Sequence, residues 1–135
     1  MDRLAEAPLG IAVNINNDLT AALAAALAFS LAMTLVLEVG FFYLVGKRNK
    51  KDLLLVIMVN ILTNPAVVLL YWLSALYTDI NSIVAKAVLE ICAVLVEGYY
   101  YKRYAQDFKK PFLFSLAANG FSYFIGVLLQ LWLFI

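Results

Sequence analysis

The sequence predicts an all-α membrane protein of four transmembrane helices, arranged as two similar helical hairpins. Three observations predict it. The chain of 135 residues is 65% hydrophobic and 14% charged, whereas the apolar share of a soluble domain is nearer half. A helix needs about 20 apolar residues to cross a hydrocarbon core about 30 Å thick, so four crossings and their turns consume the chain and leave no room for a soluble catalytic domain. The third observation is a repeat of scarce residues: Glu38 and Asn60 stand 22 positions apart, and so do Glu97 and Asn119. Residues 38–70 laid over 97–129 without a gap also place Lys50-Lys51 on Lys109-Lys110, Phe41-Phe42 on Tyr100-Tyr101, and Thr63 on Ser122. Leu and Val matches arise by chance between apolar segments, so the expected duplication rests on the Glu, the Lys pair and the Asn.

The elements follow in order. Residues 1–19 contain Pro8, Gly10 and a run of capping residues at Asn14, Asn16, Asn17 and Asp18, and are expected to form an N-terminal interfacial arm broken by Pro and Gly. The first hairpin is expected over 20–76. Its first helix runs from Thr20 to Gly46, capped by Asp18 or Thr20, and carries Ser30, Thr34 and Glu38 at i, i+4, i+8 as one polar stripe. The apolar run begins too late for a secretory signal and contains Glu38, so no cleavage is expected. KRNKKD at 47–52 is the turn, and the second helix spans Leu53 to Leu76 with Asn60, Thr63, Asn64 and Pro65. Pro65 frees the carbonyl of Ile61, which predicts a kink or local unwinding.

The second hairpin is expected over 77–135. YTDINS at 77–82 connects to a third helix from Asn81 to Tyr104, with Lys86, Glu90 and Glu97 on one face. AQDFKKP is the second turn, and a fourth helix follows from Pro111 to Phe134, with Pro111 in the first turn, where its missing N–H costs nothing. Phe41 to Tyr43 and Tyr99 to Tyr101 read as interfacial aromatic belts. Lys86 either pairs with Glu90 one turn away or extends to the outer surface; the order Lys then Glu disfavours pairing.

Charge sets the expected orientation. Eight of the ten Lys and Arg lie within 47–51 and 102–110, against Arg3 and Lys86 elsewhere. The positive-inside rule then makes both basic loops cytoplasmic, with both termini outside. Such short clusters are topology signals, not nucleic-acid surfaces. The expected partners are the lipid bilayer and a second copy or another membrane protein, with no nucleic acid. There is no His, which removes the commonest general base and zinc ligand, and the single Cys92 excludes an intramolecular disulfide.

The chemistry concentrates in the buried polar residues. Glu38 lies nine residues before Lys47 and Asn60 nine after Lys51, so at about 1.5 Å per residue they are level, roughly 13 Å from the turn. Glu97 and Asn119 match them, Glu90 lies two turns deeper, and Asn64 beside Pro65 is a place where unwound backbone could coordinate an ion. A carboxylate at a helix centre costs about 2.5–3.5 kcal/mol on insertion scales, so these residues need compensation. Three arrangements provide it. In one, each Glu is a neutral acid that donates to an Asn carbonyl and locks helices together. In the second, Glu38, Asn60, Asn64, Glu90, Glu97 and Asn119 line a site for a cation, proton or small polar solute, with Glu90 as a relay. Oxygen-only ligands favour Na⁺, Mg²⁺ or Ca²⁺, with Glu38 and Glu97 as the metal-ligating candidates. In the third, a carboxylate pair hydrolyses a substrate within the membrane, although two Glu on polar faces are a weak catalytic signal and no residue is assigned as catalytic. Transport or conduction is the expected function, most simply by a homodimer. An accessory or scaffold subunit of a larger membrane complex is the alternative.

The segments VNILTNPAV, LEICAVLVEGYYYKRY and LFSLAANGFSYFIG together resemble an uncharacterised group of small bacterial four-helix membrane proteins with the same order of Glu, Asn-Pro, Glu and Asn. The resemblance covers about residues 35–127. It implies a bacterial inner-membrane location and carries no activity.

Overall fold

The computed structural model describes the backbone of residues 7–133 and the side chains of residues 17–133. The described chain is all-α, with four helices: α1 (Ala7–Leu44), α2 (Lys50–Tyr77), α3 (Ser82–Tyr104) and α4 (Pro111–Leu133). Three of them, α1, α2 and α4, are long and apolar enough to cross a membrane. Every 18-residue stretch of α3 holds at least three residues from Lys86, Glu90, Glu97, Lys102 and Arg103, which sets it apart in composition though not in length.

The helix termini have local causes. Gly46, with φ of 88°, ends α1 in a left-handed residue that tolerates no Cβ cheaply. The N–H of Lys47 reaches the carbonyl of Phe42 at 2.8 Å, and that of Gly46 reaches Tyr43 at 3.2 Å, the paired bonds of a Schellman ending. The side chain of Asn49 caps α2 by accepting from the Lys51 N–H at 3.0 Å. Asn81 caps α3 in the same way, accepting from Ile83 at 2.9 Å. Pro111 opens α4 as expected.

One expectation about the helices needs correction and another needs narrowing. α1 begins at Ala7 and passes through Pro8, Gly10, Asp18 and Thr20 without a break. Pro8 sits in the first turn, where the missing N–H has no partner to lose, and one Gly costs a helix only about 1 kcal/mol. Residues 1–6 of the expected arm, Arg3 among them, lie outside the described residues. At Pro65, where a kink or local unwinding was expected, α2 stays helical from Lys50 to Tyr77, which excludes the unwinding.

The helices close into a ring in chain order, with α1 packed on α2, α2 on α3, α3 on α4, and α4 back on α1. Among the described residues the backbones of diagonal helices stay out of contact, and side chains fill the centre. That centre is polar: the buried set includes Glu38, Asn60, Thr63, Glu97 and Ser115. The outer faces carry Val36, Leu54, Leu62, Ile91, Leu116 and Phe124 exposed. Soluble monomers rarely expose apolar surface on that scale, and the inverted distribution suggests an integral membrane protein.

One end of the ring is sealed. Phe42 and Tyr101, 0% and 1% exposed, meet edge to face with centroids 5.7 Å apart, a favoured aromatic geometry. Phe108 stacks on Phe42 at 5.0 Å, and Phe114 stacks on Phe108 at 5.3 Å. The two aromatic segments were expected to be interfacial belts. Tyr43 and Tyr99 are exposed as that reading requires, whereas Phe42 and Tyr101 instead plug the bundle.

Above the plug the two basic turns are tied together. Asp52, 1% exposed, accepts from the backbone N–H of Gln106 at 2.9 Å and of Asp107 at 3.0 Å. Lys47 donates to the Asp107 carbonyl at 2.7 Å, with its carboxylate 3.7 Å away. Asn49 donates to Gln106 at 3.3 Å.

Candidate functional site

Directly beneath the plug lie two carboxyl groups held in matching ways. Asn60 Nδ2 donates to Glu38 Oε2 at 2.9 Å and to the carbonyl of Val56, one turn back on its own helix, at 2.9 Å. Asn119 Nδ2 donates to Glu97 Oε2 and to the carbonyl of Ser115, again one turn back, at 2.9 Å. These residues stand 59 positions apart in pairs (97 − 38, 119 − 60, 115 − 56). The central rings of Phe42 and Tyr101 are 59 apart as well. Each Asn therefore spends its amide protons on a carboxyl of the neighbouring helix and on its own backbone. The interhelical lock was expected with the acid as donor and the Asn carbonyl as acceptor. The geometry is the reverse, since the amide donates and the carboxyl accepts.

The two carboxyls differ in what else reaches them. Glu97 Oε1 accepts from Thr63 Oγ1 of α2 at 2.8 Å, and Oε2 has Ser115 Oγ at 3.3 Å besides Asn119. Both oxygens are engaged. Each hydroxyl has a single proton and also a backbone carbonyl in range, Val59 for Thr63 at 3.1 Å and Val94 for Ser115 at 2.9 Å. Among the described residues Glu38 has one well-formed hydrogen bond, from Asn60, with the Ser122 hydroxyl close by as a further donor in reach. Glu38 Oε1 is buried and unpartnered, as are Asn60 Oδ1 and Asn64 Oδ1. The cause lies in sequence: the position matching Ser115 is Val56, and the one matching Thr63 is Ser122, whose hydroxyl faces Glu38 but donates to the Asn119 carbonyl at 3.0 Å.

A second rung sits one turn from the first. Asn64 Nδ2 donates to Thr34 Oγ1 at 2.9 Å, so the α1–α2 seam carries Glu38–Asn60 and Thr34–Asn64 in succession. The matching α3–α4 positions are Ala93 and Tyr123. Hence α1–α2 presents three buried acceptor oxygens without donors, each of a kind that is costly to leave unmatched.

A cavity of about 750 Å³ begins at Asn60, Thr63, Glu97 and Asn119 and extends past Asn64 to Trp72 and Trp132. It runs away from the plugged turns, toward the end where residues 78–81 join α2 to α3. Glu90 stands on its wall and makes no side-chain hydrogen bond among the described residues. Lys86 does not pair with it; its Nζ lies over the Tyr123 ring, 5.3 Å from the centroid. Of the six expected site residues, four meet in the two carboxyl–amide pairs, Asn64 joins them through Thr34, and Glu90 stands apart. No cluster of three or more His, Cys, Asp or Glu is gathered among the described residues, so a cation at the α1–α2 seam would meet one carboxylate and neutral oxygens.

Asp52 was missed in the sequence reading because a carboxylate among four basic residues reads as part of a solvated turn. Ser115 was missed because it lies outside the Glu-to-Asn frame that made the repeat visible. Searches of protein-family models, curated proteins and solved structures returned no match to this chain, so its geometry alone carries the functional reading.

Proposed function

We propose that this chain is an integral membrane protein of four crossings, built from a duplicated hairpin, that binds and passes a cation or small polar solute at the α1–α2 seam. The observation that carries the proposal is the surplus of buried acceptors: Glu38 Oε1, Asn60 Oδ1 and Asn64 Oδ1 have no donor, and Asn60 and Asn64 face the cavity. A ligand that brings positive charge or donors completes what the protein leaves open. One carboxylate with neutral oxygens suits a monovalent cation such as Na⁺ or a proton better than Mg²⁺ or Ca²⁺, which gather several carboxylates or waters. The basic turns lie on the cytoplasmic side by the positive-inside rule, so the cavity opens outward and the aromatic plug closes the inner end. The bacterial inner membrane is the location in keeping with the family resemblance. Four helices are few for alternating access, and a homodimer supplies the second wall.

Purified protein in liposomes tests the reading. Wild type is expected to support cation or proton flux, and Glu38→Gln, which keeps the shape and removes the charge, to abolish it. Flux that Glu38→Gln leaves unchanged removes the proposal. A second reading, an accessory subunit in which these residues only lock helices, is favoured by the fully engaged Glu97. It predicts unchanged flux together with lost assembly.

A further inference from the structure

The outer seam between α3 and α4 contains a second concavity, of about 510 Å³, within the range of roughly 300–1,000 Å³ usual for small-molecule sites. Its walls are apolar, with Ile83, Ala87, Ile91, Leu95, Leu116 and Gly120 among them. Lys86, Glu90, Asn119 and Tyr123 line both this groove and the central cavity, so one layer of side chains separates the two. Glu90 occupies that layer half-buried and without an ion pair among the described residues. A carboxylate at the foot of an apolar groove is costly, and Lys86, held over Tyr123, does not neutralise it directly.

We infer that the α3–α4 groove is a lateral entrance for a lipophilic cation, an amphiphile whose hydrocarbon chain lies along the apolar walls and whose ammonium group meets Glu90. The inference rests on the membrane-transport reading and names the substrate class of that site. Charge complementarity selects the occupant. Lys86 lines the same groove one turn from Glu90 and offsets part of that carboxylate's charge, with its ammonium turned over the Tyr123 ring. Past this doorway the cavity wall carries Glu97 and the unpartnered oxygens of Asn60 and Asn64, which favour a cation and repel an anion. The apolar walls select a chain, because a small hydrated ion gains nothing from them.

Full-length protein in lipid nanodiscs, with empty nanodiscs as background, tests this by equilibrium binding of radiolabelled dodecyltrimethylammonium. Saturable binding is expected, weakened at least tenfold by Glu90→Gln and at least tenfold by Gly120→Leu. Nothing lies within 4 Å of a Cβ built on Gly120, so the backbone site accepts a side chain that fills the groove, and circular dichroism with gel filtration checks that the bundle persists. Unlabelled tetramethylammonium and dodecanol are both expected to compete poorly, since each lacks one half of the match. The inference is overturned if binding is not saturable, or if both variants bind within twofold of wild type. Dodecanol or zwitterionic dodecylphosphocholine competing as well as the ammonium also overturns it. Flux of inorganic cations through wild-type protein reads the proposed function without the amphiphile, so each reading can fail while the other stands.

Discussion

The α1–α2 hairpin and the α3–α4 hairpin hold the same pair of residues in the same geometry and differ in whether the carboxyl is finished. Glu97 receives Asn119, Thr63 and Ser115, whereas among the described residues Glu38 has one well-formed bond, from Asn60, with Ser122 nearby but donating to the Asn119 carbonyl. The difference comes from Val56 at the position of Ser115, which has no hydroxyl, and from Ser122, which matches Thr63 but turns its proton to the Asn119 carbonyl where Thr63 reaches Glu97. A polar pair that is complete inside a bundle serves as a fastener, and one left short of donors can serve as a receptor. The comparison teaches that repeat symmetry in residues need not be symmetry in role.

The strongest way to break the comparison is to remove each carboxyl in turn. Glu97→Ala removes three interhelical bonds, although the Thr63 and Ser115 hydroxyls keep backbone carbonyls in range. At about 0.6–1.7 kcal/mol per interhelical bond in a membrane it is expected to cost roughly 2–3 kcal/mol of stability. Glu38→Ala strands one amide and is expected to cost about 1 kcal/mol or less by the same scale. Unfolding in mixed micelles measures both, and equal losses would mean that the halves are equivalent after all. Asp52→Ala comes next, because it removes the buried acceptor of two backbone N–H groups on the exposed residues Gln106 and Asp107. At about 1.5–3 kcal/mol for a bond to a charged acceptor, reduced because water can replace it, a loss near 2 kcal/mol is expected. Hydrogen exchange at Gln106 and Asp107 should rise with it.

Smaller effects sharpen the contrast. A Cβ on Gly98 would overlap the Phe112 ring, whereas the matching residue in the first half is Val39, which carries a full side chain. Gly98→Ala is expected to cost about 1–2 kcal/mol, the lower range for overpacking, because the ring can turn aside. Val56→Ser removes methyls from a fully buried core residue and is expected to cost about 1–2 kcal/mol, part of it offset where the new hydroxyl bonds Glu38. Its functional effect should be the most informative of the set. The new hydroxyl stands where Ser115 stands in the other half, so it should supply Glu38 with a donor and weaken the rise in melting temperature that bound cation produces by mass action. A cation response as large as in wild type would separate the empty acceptors from binding.

Much of this was legible in the sequence because scarce residues in an apolar chain carry strong constraints. The starts of α2 and α3 fall within three residues of the expected positions, and Glu38 and Asn60 sit level, as their equal distances from the turn required. The polar stripe Ser30, Thr34, Glu38 also told true at Thr34, which meets Asn64. The start of α1 was misjudged because Pro and Gly break helices by position, and Pro8 occupies the one place where it does not. The aromatic plug escaped because tyrosine beside lysine marks a bilayer boundary and gives no sign of which ring of three turns inward. The empty acceptors escaped for a deeper reason: whether an oxygen has a donor depends on residues such as Val56 and Ser122, which carry no polar pattern of their own.

The stitched turns bear on the order in which the chain is made. The contacts among the central polar groups join residues close in sequence: Glu97 to Ser115 across 18 positions, Glu38 to Asn60 and Glu97 to Asn119 across 22, Thr34 to Asn64 across 30 and Thr63 to Glu97 across 34. Those at the turns span 54 to 60. At ribosomal rates of about 5–20 residues per second, Asp52 waits roughly 3 to 10 s for the amides it will hold. On the membrane reading that wait is spent at the aqueous surface, where water hydrates the carboxylate, while the groups that lipid cannot hydrate meet their partners sooner. The long-range ties therefore act as a late latch, closed by the newest part of the nascent chain upon the oldest turn.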